Sequence, residues 1–172
     1  MKNRNSYWLL FGIAAIVILL DQVTKAMVLE NLPSGTAWMP LDWLAPYARF
    51  VNWFNSGVAF GLFQGGGMLF AVLAMVVAGG IIYYYPRIPH EDKLMQVAFG
   101  LMLGGAVGNV IDRLRFGGNV IDFISVGSFP VFNIADSAVT IGVGLMLLAT
   151  LLENRNKTPA TSANDSTENQ DS

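Results

Sequence analysis

Four long stretches almost free of charge constrain this chain more than any other feature. Residues 7–20, 68–85 and 94–111 contain no Asp, Glu, Lys or Arg, and residues 135–152 contain only Asp136. A helix needs ~20 apolar residues to cross the hydrocarbon core of a bilayer. The first stretch approaches that length, because its helical character runs on through Asp21 and Lys25 to about Leu29. Lipid cannot hydrogen-bond a backbone, so segments of this kind must satisfy their own N–H and C=O groups as helices. The expected fold class is an all-α integral membrane protein. Its four transmembrane helices are expected at about 7–29, 68–85, 94–111 and 135–152.

In 172 residues these spans leave no separate soluble domain. Residues 1–154 are expected to form one membrane domain. Residues 155–172, rich in Thr, Ser, Asn, Asp and Glu, read as a disordered cytoplasmic tail. Only 13% of the residues are charged and 53% are hydrophobic, with a net charge of −2. That argues against a disordered protein, a basic nucleic-acid binder and an ordinary soluble enzyme. With no cysteine and a single histidine, His90, thiol nucleophiles and multi-His zinc sites are excluded.

Lys2, Arg4, Arg87, Lys93, Arg155 and Lys157 fall on one side of the spans, and Lys25, Arg49, Arg113 and Arg115 fall on or toward the other. Because the first span usually sets orientation, both termini are expected in the cytoplasm. Residues 31–67 and the 116–133 region then lie on the outer face. No small-x-small cleavage site follows Leu20, so the first span reads as an uncleaved anchor. Within the outer segment, Ala-Arg-Phe-Val-Asn-Trp-Phe at 48–54 is aromatic and β-branched. It suggests short strands at the membrane surface. The Tyr83–Tyr85 cluster and Trp38, Trp43, Tyr47, Trp53 and Phe54 fit interfacial belts.

Charge inside or at the edge of a span is costly, which makes each such residue a candidate for function. These residues collect at one depth. Asp21 and Lys25 lie toward the outer end of the first span. Asn109, Asp112 and Arg113 end the third, Asp122 follows, and Asn133 and Asp136 open the fourth. Asp21 and Lys25, four residues apart, fit either a neutralising ion pair or a role in substrate handling. Gly100, Gly104 and Gly108 form a small-residue stripe suited to close helix packing. Asp136 alone fits a helix N-terminus, but that does not explain two aspartates among apolar residues at one depth.

Several chemistries drop out. His90 lies in the expected inner loop, far from any serine of the polar cluster. A Lys25–Ser56 dyad lacks an activating motif, and neither a P-loop nor a Gly-x-Gly-Asp signature occurs. Two facing carboxylates remain. Like charges in a low-dielectric site raise one another's proton affinity. The ionised member can then activate water while the protonated one polarises a carbonyl.

Five blocks in order carry a resemblance to a known family. They are Asp21-Gln22-Val23-Thr24-Lys25, Asn55-Ser56-Gly57-Val58-Ala59-Phe60 and Gly104-Gly105-Ala106-Val107-Gly108-Asn109-Val110-Ile111-Asp112-Arg113, then Val120-Ile121-Asp122-Phe123 and Phe132-Asn133-Ile134-Ala135-Asp136. On four spans, this series resembles the bacterial lipoprotein signal peptidases, or signal peptidase II. The resemblance implies an aspartic endopeptidase of the bacterial inner membrane. Such an enzyme removes the signal peptide from diacylglyceryl-modified prolipoproteins by cutting before the lipidated cysteine. It implies Asp122 and Asp136 as catalytic residues, and Asp21, Lys25, Asn55, Gly57, Gly105, Asn109, Arg113, Asn133 and Ala135 as substrate-binding or supporting residues. It further implies no metal or cofactor, inhibition by the cyclic peptide globomycin, and a small β-cradle on the outer face. Prolipoproteins and membrane lipids are the expected partners, nucleic acid is not, and a monomer suffices to enclose the site.

Two other functions compete. A proton-coupled transporter needs polar residues through the whole membrane depth, yet the inner halves of spans two and three offer only Gln96. A packing scaffold leaves the shared depth of the aspartates unexplained.

Overall fold

The computed structural model describes residues 5–57 and 66–157. The tail beyond Lys157, the N-terminal Lys2 and Arg4, and the Val58–Phe60 part of the second motif lie outside the described residues. Four helices run in chain order: α1 (Asn5–Asn31), α2 (Gly67–Tyr84), α3 (Lys93–Arg115) and α4 (Ile134–Lys157). Each carries a window long and apolar enough to cross a membrane. The short strand β1 (Ala37–Trp38) and the longer β2 (Ala48–Asn55) follow α1, and β3 (Val120–Val126) lies between α3 and α4. Together they make one antiparallel sheet in the order β1-β2-β3. The strand-like stretch at 48–54 is thus a strand, and the chain is a multi-pass membrane protein with a small sheet.

Helix α3 is the centre of the bundle. Its membrane-spanning window is 56% buried, against 22–28% for the other three. Its glycines explain why it can be surrounded. A Cβ on Gly100 would press on Ile13, and one on Gly104 on Val17 and the Ala14 backbone, so this stripe seats α1. Gly105 points the other way, where a Cβ would collide with the Ala135 carbonyl and Val139, so it seats α4. Small residues permit this close backbone approach, which supplies packing where lipid gives no hydrophobic drive between helices. One half of the bundle is filled by Leu10, Ala14, Ala78, Ile81, Tyr85, Phe99 and Leu103. Lipid-type side chains such as Leu69, Val72 and Val76 of α2 face outward.

The helix ends set the site. Asp92 caps α3 by accepting from the Met95 N–H at 2.9 Å. At the other end Gly117 and Gly118 take positive φ, +61° and +98°, which turns the chain directly into β3. The β2–β3 register places Trp53 opposite Asp122 and Asn55 opposite Val120, with an irregularity between Phe50 and Trp53. Successive strand residues face opposite sides. Val120 and Asp122 line one cavity, while Ile121 and Phe123 line clefts against α1.

Candidate active site

The polar residues form two adjoining clusters. In the first, the Lys25 Nζ lies 2.8 Å from Asp21 Oδ2 and 2.8 Å from Asp112 Oδ2. All three side chains are buried. The carboxylates are otherwise fully engaged. Asp21 Oδ1 accepts the Ala135 N–H at 3.0 Å, and Asp112 Oδ2 accepts the Ile121 N–H at 3.1 Å. Gln22 Nε2 donates to Asp21 Oδ2 and Asp112 Oδ1. One cluster thereby ties α1, α3, β3 and the start of α4 together. The sequence expectation paired Lys25 with Asp21 alone. Asp112 and Gln22 were not expected site residues, although Asp112 stood in the same polar group. Its carboxylate meets Lys25 and Gln22 of α1 rather than the cluster around Asn133.

In the second cluster, Asn133 is the N-cap of α4. Its Oδ1 accepts the Asp136 N–H at 2.8 Å, and Asp136 Oδ2 accepts the Asn133 N–H at 3.3 Å. This reciprocal pair is a capping box with Asp in the third helical position. The Asn133 Nδ2 reaches across to Asp122 Oδ1 at 2.7 Å, and Asn55 Nδ2 donates to Asp122 Oδ2 at 2.8 Å. Asn55 is itself held because its Oδ1 accepts the Gly57 N–H at 3.0 Å. Asp136 Oδ1 accepts from Asn109 Nδ2 at 2.7 Å.

Asn109 joins the two clusters. Its Oδ1 accepts from Lys25 Nζ at 3.3 Å and from Asn133 Nδ2 at 3.1 Å. With the carbonyl oxygen committed to those donors, the NH₂ end is the one presented to Asp136. Arg113 donates from Nη1 to the Asn109 carbonyl at 3.3 Å. Its Nε is buried without a hydrogen-bond partner among the described residues. Ser137 and Thr140 bond back to Asn133 O and Asp136 O within their own helix. Arg115 donates from Nη1 to Gln22 Oε1.

Asp122 and Asp136 line the same cavity of about 330 Å³, with Asn55, Gly57, Asn109 and Arg113. Phe70, Phe129, Pro130 and Phe132 supply apolar walls, and of these only Phe132 stands in a sequence motif. Burial raises the Asp122 pKa to about 7, and the nearby Asp136 charge adds to the rise. Hydrogen bonds from Asn55 and Asn133, and the more distant Lys25, oppose it. Of the expected residues, Asp122, Asp136, Asn55, Gly57, Asn109 and Arg113 line this cavity. Asn133 bonds to both aspartates, while Asp21, Lys25, Gly105 and Ala135 lie behind the cavity at contacts between helices.

The model for signal peptidase (SPase) II matches residues 13–152, a range that contains every residue of the two polar clusters. The chain belongs to the signal peptidase II family. It is 43% identical over 150 residues to the lipoprotein signal peptidase of Shouchella clausii, covering 87% of this chain and 97% of that one. It is 40% identical over 147 residues to the lipoprotein signal peptidase of Bacillus pumilus, covering 83% and 92%. Among solved structures, a bacterial membrane enzyme determined by the in meso method at 2.3 Å superposes with a TM-score of 0.77 at 33% identity. That match covers 86% of this chain and 90% of the other. As a member of the signal peptidase II family, the chain is a peptidase.

Proposed function

We propose that this peptidase removes the signal peptide from diacylglyceryl-modified prolipoproteins by cutting before the lipidated cysteine, with Asp122 and Asp136 as its catalytic pair. The observation that carries the reading is that both carboxylates open onto one cavity and are held by neutral amides rather than by cations. Such a pair keeps a free face for substrate and, among the described residues, no cation in direct contact.

In this reading the pair shares one proton and the reaction begins with it on Asp122, whose pKa burial raises to about 7. Asp136 then takes a proton from water as the water oxygen bonds to the scissile carbonyl carbon. Asp122 protonates the carbonyl oxygen as the tetrahedral diol forms. Collapse breaks the C–N bond. The proton held by Asp136 passes to the departing amine, and Asp122 recovers its own. Asn109 and Asn133 fix the two carboxyl planes, and Arg113 is placed to hold a backbone carbonyl of the peptide. The reaction needs no metal or cofactor.

The same reading puts both termini in the cytoplasm and the cavity at the outer face of the inner membrane, in a monomer. The purified protein should cleave a cysteine-containing precursor carrying diacylglycerol and leave the unlipidated precursor intact, and globomycin should block that cleavage. Equal cleavage of both precursors would remove the lipidated substrate from the reading. No cleavage of either would remove the activity.

A further inference from the structure

A second cleft, of about 800 Å³, lies between the outer end of α1 and the other face of the sheet. Met27 and Val28 form one wall, and Trp38, Phe50 and Phe123 form the other. Its size is that of a pocket for a sizeable ligand, roughly 300–1,000 Å³. It is not the peptide site. Asp122 and Phe123 are neighbours on β3 and point to opposite faces, so the sheet separates the two spaces.

Three features define what fits. Among the described residues, the lining contains no charged side chain. Its polar side chains are turned inward on their own backbone. Thr24 donates to Leu20 O and Asp21 O, Asn31 to Met27 O, and Thr36 to Pro33 O. A trapped water needs two to four polar partners, so this cleft suits hydrocarbon better than water or a headgroup. Finally, the α1 wall is continuous with the lipid-facing surface of a membrane-spanning helix, where Val23 is 48% and Met27 58% exposed.

We infer that this cleft binds an acyl chain of a bilayer phospholipid. The neighbouring leaflet supplies that chain without dehydration. Seated there, it packs against the Trp38–Phe50 pair, whose rings lie 6.1 Å apart. It also packs against Phe123, and so braces the strand that carries Asp122.

The test uses the full chain in nanodiscs containing a phosphatidylcholine with a diazirine near the end of one acyl chain. After irradiation, labelled residues are located by mass spectrometry. Val28 and Phe123 are 7% and 3% exposed, so label on them reports a chain inside the cleft. Label on Val72 of α2 reports ordinary surrounding lipid. Label is expected on Phe123 and Val28. Two filling variants, Val28→Trp and Ala37→Trp, should each lower it about tenfold, because excluding even a pair of methylenes costs that much affinity. Label on Val72 should not change. Ala37 is exposed, so its variant stays informative if Val28→Trp fails to fold. Label confined to Val72 and its like would overturn the proposal, as would unchanged Phe123 label in the folded filling variants. So would Phe123 label obtained only from a diazirine-bearing lipidated precursor, which would make the cleft a substrate subsite.

Discussion

The two polar clusters of this molecule have similar parts and opposite characters. Each holds a pair of aspartates at the same end of the bundle, joined through Asn109. Around Lys25, the carboxylates of Asp21 and Asp112 are buried, paired with a cation and met by backbone N–H groups. Around Asn133, the carboxylates of Asp122 and Asp136 meet only amide donors among the described residues, and both open onto a cavity. Among the described residues neither forms an ion pair. The first pair spends its oxygens on Lys25, Gln22 and backbone N–H groups inside the protein. The second keeps its carboxyl groups facing a cavity. The first cluster therefore holds helices together, and the second is left able to do chemistry.

The sharpest way to break this distinction is to remove charge from each cluster in turn. Asp122→Asn or Asp136→Asn should lower turnover of a lipidated precursor by ~10²–10⁴-fold, the range for losing a general acid or base. The variants should stay folded but melt somewhat below the parent, since each asparagine keeps the shape of its site yet turns its NH₂ on one of the N–H donors that the carboxylate accepted. Turnover within a few-fold of the parent would disprove the pair. Lys25→Met should do the reverse. It strands two buried carboxylates, and removing one partner of such a group costs about 3–5 kcal/mol. Thermal unfolding in detergent should register that loss directly. A Lys25→Met protein as stable as the parent but inactive would move Lys25 from the frame to the chemistry.

A smaller effect separates helix placement from cluster chemistry. Gly105→Ala sets a methyl group against the Ala135 carbonyl and Val139. Overpacking of this kind costs about 1–3 kcal/mol, and it pushes the start of α4, with Asn133 and Asp136, away from Asn109. Activity should fall along with melting temperature. Gly79→Ala in α2 meets nothing within 4 Å and should leave both measurements unchanged. If both alanines behaved alike, the close approach at Gly105 would not be what positions α4.

Much of this was legible in the sequence because scarcity did the sorting. With 13% charged residues, each polar group in or beside an apolar span stood out, and the spans followed from lipid's inability to hydrogen-bond a backbone. The strand at 48–55 was readable from its aromatic and β-branched residues. What could not be read was direction around a helix and across a sheet. Asp112 follows Asn109 by three residues, a spacing that groups them on one face, yet Asp112 turns to Lys25 while Asn109 reaches both clusters. Phe129, Pro130 and Phe132 wall the cavity because of how the β3–α4 connection folds back, through the Ile124–Phe132 bridge. No local pattern announces that pairing.

The finest test concerns the proton itself. Asp122 sits near pKa 7, raised by burial and by Asp136 and lowered by the amide of Asn55. If the protonated form of Asp122 is the donor to the carbonyl, activity is present below about pH 7 and is lost as pH rises through that value. Asn55→Ala removes a donor that favours the ionised carboxylate, so the proton is held to higher pH. The alkaline limb of kcat/KM should therefore move upward, while the loss at low pH, where Asp122 is neutral, stays within about tenfold, as for one ordinary hydrogen bond of about 0.5–1.5 kcal/mol. Should Asp122 instead serve as the base, the acid limb would carry its titration and would move upward in the variant. The limb that moves thus decides which aspartate begins the reaction with the proton. A profile that keeps its shape in Asn55→Ala would mean that Asp122 does not set either limb, and the amide-held pair would lose its claim to differ from the one around Lys25.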